Sequence, residues 1–128
     1  MKYLLDTHVF LWWITDSPQL SENVREIISE GASDLYWSSA SSWEIAIKYA
    51  NGKLILPQEP EVFITSELVG NRISSLSITD DHSFLAGKLP VHHRDPFDRM
   101  LIAQSSFEKM PLVTADRLIS QYDVNTVW

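Results

Sequence analysis

Two rhythms of apolar and polar residues take turns along this chain. Short runs that read as strands occupy residues 2–5, 34–38 (DLYWS), 72–78 (RISSLSI), 112–114 and 125–128. Between them lie segments with helical spacing. In 21–29, after the Pro18 turn, Val24, Ile27 and Ile28 share one face. In 41–50, Trp43, Ala46, Ile47 and Ala50 fall at i, i+3, i+4 and i+7, and Asn51-Gly52 supplies a left-handed stop. Residues 60–69 and 80–88 form further helices, the second opened by Thr79 as N-cap. The pattern over 95–107 is the clearest: Asp95 caps, Pro96 takes the first helical position, and Met100, Ala103 and Phe107 run down one side.

Strands joined through helices require a parallel sheet covered on both faces, because parallel neighbours need a crossover. No repeat or low-complexity linker interrupts the alternation, so the sequence predicts a single α/β domain over residues 1–128. In such sheets the functional crevice lies beyond the carboxyl ends of the strands, where the strand order reverses.

Composition narrows the chemistry. A chain of 128 residues with 45% hydrophobic and 21% charged side chains can bury a core of its own. It contains no cysteine, which excludes disulfides, zinc-thiolate sites and thiol nucleophiles and fits a reducing cytoplasm. Asp6 and His8 break the apolar start that could pass for a signal peptide, and no run reaches the ~20 apolar residues of a membrane span, so a soluble cytoplasmic protein is expected. A formal charge of −7 is the wrong sign for a broad basic nucleic-acid surface. A nucleic-acid role therefore has to be catalytic and metal-assisted, and the acidity suits a basic protein partner.

Acidic residues supply such a site. Asp6 directly follows the first strand, and Asp116 lies two residues beyond Thr114, so both belong to the carboxyl edge of the sheet. Asp98 falls in the first turn of its helix, and Glu44 in the first turn or two of the helix after DLYWS. All are predicted to project toward one rim, where hard divalent cations would be held by carboxylate oxygens. Taken singly, each has an ordinary explanation. Asp6 could cap an apolar helix over 9–14, Glu44 could pair with Lys48 at i,i+4, Asp98 could complement its helix dipole, and Asp116 could cap a short helix over 117–120. Their common edge is what sets them apart.

The segments LLDTHVFLWW, SSWEIAIK, HHRDPFDRMLIAQ and LVTAD, in that order, resemble a PIN-domain ribonuclease of the VapC toxin type from residue 3 to the end. The resemblance implies a three-layer α/β/α sandwich around a mostly parallel sheet of about five strands. It implies RNA as substrate, with Mg²⁺ or Mn²⁺ held by the catalytic acids Asp6, Glu44, Asp98 and Asp116. It also implies a homodimer silenced by a small VapB-like antitoxin whose C-terminal segment wraps the toxin.

Around these acids the sequence offers supporting residues. Capping turns Asp95 back to its own helix and leaves Asp98 for the metal, with Asp95 as a hydrogen-bonding support. Thr7 and Thr114 are candidates for holding carboxylates, and Lys48, Arg94 and Arg99 for touching phosphate. His8, His92 and His93 match no zinc spacing and are read as supporting or loop residues. Phe10, Trp12 and Trp13 are read mainly as core. A haloacid-dehalogenase-type phosphatase is disfavoured because its second Asp would stand where His8 does, and no glycine-rich phosphate loop exists. The alternative is a catalytically inactive PIN-like module that binds RNA or protein.

Overall fold

In a computed structural model covering Met1–Trp128, the strands are β1 (Lys2–Leu5), β2 (Asp34–Ser38), β3 (Ile73–Leu76), β4 (Leu112–Val113) and β5 (Thr126–Val127). They stand in the order β3-β2-β1-β4-β5, and every neighbouring pair is parallel, so the sheet is wholly parallel. The helices are α1 (Thr7–Ile14), α2 (Glu22–Ser29), α3 (Ser39–Ala50), α4 (Pro60–Gly70), α5 (Asp80–Lys88) and α6 (Pro96–Glu108).

Successive strand residues face opposite sides of a sheet, and here they divide two cores. Leu5, Leu35, Trp37, Ile73 and Val113 turn to one face, against Val9 and Phe10 of α1, Val24 and Ile28 of α2, Ile45 of α3, and Ile64 and Leu68 of α4. Leu4 and Leu112, joined by Tyr36 and Leu76, turn to the other, against Leu101 and Ile102 of α6 and Ile119. The result is the predicted α/β/α sandwich. No helix is long and apolar enough to cross a membrane.

Helix starts follow the side chains that can satisfy free N–H groups. Ser21, Ser38, Thr79 and Asp95 each accept a backbone N–H of their own first turn. Ser38 thereby starts α3 at Ser39, two residues earlier than the spacing predicts. Asp6 likewise starts α1 at Thr7. The third strand is shorter than 72–78 because Arg72 is left-handed, with φ 57°, and Thr79 is committed to capping α5. Gly52, with φ 78°, makes the turn that Asn51-Gly52 predicts after α3.

One face differs from expectation. The stripe Trp43, Ala46, Ile47 and Ala50 points outward, with Trp43 63% exposed, while Ala40, Ser41, Glu44 and Ile45 turn inward. Ile45 fills the core under the sheet, and its neighbour Glu44 is carried inward with it. The periodicity marks the helix without saying which side the tertiary packing selects.

Candidate metal centre

Strand β1 pairs with β2 on one side and β4 on the other, so the order reverses at the β1/β4 seam. Asp6 leaves β1 there, its backbone N–H donating to the Val113 carbonyl at 3.0 Å. Its Oδ1 accepts the His8 N–H at 3.1 Å, and its Oδ2 accepts the Thr114 hydroxyl at 2.6 Å, a bond that spans the seam. Asp6 is buried, which pushes its pKa up. The hydrogen bonds from His8 and Thr114 outweigh that and hold it below 3.8. His8, whose Nδ1 lies 3.7 Å from Asp6 Oδ1, is raised in turn by its attraction to that carboxylate.

Thr114 also accepts the Asp116 N–H at 3.1 Å, and Asp116 Oδ1 accepts the Leu118 N–H at 2.9 Å, which aims its second oxygen back across the crevice. Asp98 enters from the first turn of α6. Asp95 Oδ1 accepts the N–H groups of Phe97 and Asp98 at 2.8 and 3.1 Å, so Asp95 caps the helix as its position predicts. Burial first, then the negative charges of Asp6, Asp95 and Glu44, push the Asp98 carboxyl up to about 7. Asp6, Asp98 and Asp116 line one cavity of about 290 Å³ with His8, Trp12 and Ala115.

Glu44 is brought near these acids but does not line the cavity. Its Oε2 accepts the Lys48 ammonium at 2.7 Å, so the i,i+4 pair exists, but with Glu44 buried rather than on a surface. Its Oε1 is buried with no hydrogen-bond partner. Carboxylates that raise the pKa of a neighbour, together with an orphaned buried oxygen, make a site short of positive charge. A divalent cation with oxygen ligands fits that deficit.

Other candidates are placed differently. The Thr7 hydroxyl donates to Ser41 Oγ at 2.7 Å and ties α1 to α3, so it holds no carboxylate. Arg99 is no phosphate contact: it donates to the carbonyls of Ala86, Leu89, Pro90 and His93. Lys48 is committed to Glu44, and Arg94 is exposed. Phe10 is fully buried, whereas Trp12 and Trp13 pack only partly against the core. The imidazole of His92 meets Tyr122 edge-on.

His93 is the residue that the sequence reading undervalues. Its Nε2 lies 3.0 Å from Oδ2 of Asp98 and 3.0 Å from Oδ2 of Asp116, and one ligand atom from each residue lies within 4.8 Å of the others. A local signal existed. His93 stands two residues before the capping Asp95, a spacing at which a side-chain acceptor reaches a backbone N–H, and Nδ1 does accept that of Asp95 at 3.2 Å.

The sequence matches the family model of the PIN domain over residues 3–125. No curated protein matches it significantly. Among solved structures, DNA-bound VapBC from Salmonella typhimurium superposes with a TM-score of 0.76 at 18% identity, covering 99% of this chain and 97% of that one. VapBC2 from Rickettsia felis, bound to a promoter DNA fragment, gives 0.73 at 17% identity, covering 99% and 98%. FitAcB from Neisseria gonorrhoeae gives 0.66 at 19% identity, covering 98% and 96%. At these identities the likeness is one of fold.

Proposed function

Because the chain belongs to the PIN-domain family, we propose that it is a Mg²⁺- or Mn²⁺-dependent endoribonuclease acting as the toxin of a toxin–antitoxin pair. The observation that carries this reading is the convergence of Asp6, Asp98 and Asp116 on one cavity at the strand-order switch, with Glu44 buried close enough to raise Asp98. These acids would hold the ion. Bound there, a divalent cation supplies what phosphodiester hydrolysis needs, a water acidified toward neutral pH and neutralisation of charge on the phosphate.

The chain's own groups prepare the site. Thr114 and the His8 amide keep Asp6 ionised and aimed, and the Asp95 cap fixes the turn that presents Asp98. Burial and the neighbouring acids hold the Asp98 carboxyl up to about 7 in the metal-free protein, so below that pH a bound cation would have to displace its proton. Of Lys48, Arg94 and Arg99, the first and last are engaged internally, which leaves the exposed Arg94 for RNA phosphate. The charge of −7 supports a basic antitoxin segment as partner, and the superposed structures are those of VapBC and FitAcB. A homodimer in the cytoplasm completes the proposal.

Titration of Mn²⁺ and Mg²⁺ against thermal stability and RNA cleavage tests it, with Asp6→Asn and Asp98→Asn beside the wild type. Cation-dependent cleavage that both substitutions abolish is expected. A cation that stabilises the protein without supporting cleavage would leave a non-catalytic binding module.

A further inference from the structure

Every polar atom of His93 is engaged. Its N–H donates to the Tyr122 hydroxyl at 2.8 Å, its carbonyl accepts from Arg99 at 3.3 Å, and Nδ1 accepts the Asp95 N–H. Its Nε2 faces Asp98 and Asp116, with good hydrogen-bond geometry toward Asp116. Tyr122 also accepts the His92 N–H and donates to the Pro90 carbonyl, and Arg99 clasps the carbonyls of Ala86, Leu89 and Pro90. The segment that carries the imidazole is therefore tied to α5, to α6 and to the chain after β4, and the ring has a defined place.

A nitrogen beside two carboxylates looks like a ligand for the cation, but the tautomer argues otherwise. A ring nitrogen that accepts an N–H bears no proton, so the proton of the neutral ring sits on Nε2. Nε2 then presents N–H, not a lone pair, to Asp98 and Asp116. To ligate a cation, the ring would have to move that proton to Nδ1, where it would meet the Asp95 N–H donor against donor and forfeit that bond.

We propose that His93 is a positioning residue and not a metal ligand: its Nε2–H donates to Asp116 Oδ2 and lies against Asp98 Oδ2 in the metal-free protein, and competes with the cation for these atoms. This rests on the metal-centre reading above. That N–H keeps the Asp98 and Asp116 carboxyl groups beside each other until the ion arrives. The two roles predict opposite signs. Removing a ligand weakens metal binding, whereas removing a competing donor strengthens it. Glutamine places an amide N–H near the position of Nε2 and so retains the donor.

Calorimetric titration of Mn²⁺ into chelator-stripped wild type, His93→Ala, His93→Gln and Asp98→Asn tests the sign. Nitrogen NMR of the histidines, metal-free and saturated with diamagnetic Mg²⁺, reports the tautomer. His93→Ala is expected to bind Mn²⁺ about tenfold more tightly, from the loss of one charge-assisted hydrogen bond. His93→Gln should stay near wild type, and His93 should keep its proton on Nε2 at every Mg²⁺ concentration. Weaker or unchanged binding by His93→Ala overturns the proposal, as does protonation of Nδ1 on saturation. If the alanine variant does not fold, the glutamine variant and the wild-type spectrum decide between the same two outcomes. Wild type that takes up Mn²⁺ while Asp98→Asn does not preserves the metal centre whatever His93 does. Wild type that takes up none removes the centre and this inference together.

Discussion

Asp98→Asn should stabilise the metal-free protein at pH 8 while abolishing its response to divalent cations. Burial and the charges of Asp6, Asp95 and Glu44 raise Asp98 from 3.8 to about 7, so above neutral pH the folded chain carries a carboxylate it resists ionising. At about 1.4 kcal/mol per tenfold change, the rise corresponds to about 4 kcal/mol. Solvent reaching the cavity screens part of this, leaving about 2 kcal/mol to be recovered by the neutral amide. For a chain of this size that is roughly 6–8 °C in Tm. The direction in pH follows from linkage. A carboxyl whose folded pKa lies above its unfolded value binds its proton more tightly when folded, so stability is lost as pH rises from about 4 to about 7. The gain of Asp98→Asn over wild type should therefore be near zero at pH 4, grow through that window and level off above it. Thermal melts in chelator across that range, repeated with Mn²⁺, measure both effects. A substitution that destabilises at pH 8, or a difference independent of pH, would refute the electrostatic account.

Other perturbations follow from the same contacts. Thr114→Val removes the buried 2.6 Å hydrogen bond to Asp6 with little change of shape. It should cost about 1–3 kcal/mol in urea denaturation and move the Asp6 pKa upward by NMR titration. Tyr122→Phe strips the acceptor from the His92 and His93 amides and the donor from Pro90. Faster hydrogen exchange at those two amides and a loss of about 1–3 kcal/mol are expected. Lys48→Ala leaves the buried Glu44 carboxylate with neither oxygen paired. Stability in chelator should fall by about 2 kcal/mol, less than for a fully buried pair because Lys48 reaches solvent, and the Mn²⁺-induced rise in Tm should be larger than in wild type.

Much of the architecture was legible because its causes are local. Capping side chains, the Pro96 start, the Asn51-Gly52 stop and alternation along short strands act within a few residues, and they define helices and strands close to those observed. Strands alternating with helices then imply a parallel sheet, and the crossover geometry places Asp6 and Asp116 on the same edge before any contact is known. The outward stripe of α3 was not legible: a helical period is the same whichever side the core takes, and the core took Ile45. Nor were the pairings of Thr7 with Ser41 and of Arg99 with four carbonyls, since each depends on which elements become neighbours.

The amino-acid order by itself therefore determined the elements, their parallel arrangement and the rim at which the acids belong, because propensity, capping and crossover constraints operate through short stretches of chain. Only the tertiary structure decided that β1 lies beside β4, so that a hydroxyl 108 positions away reaches Asp6. It alone set His93 between Asp98 and Asp116. Such contacts arise from strand order and packing, which couple distant segments and leave no periodic trace in either one.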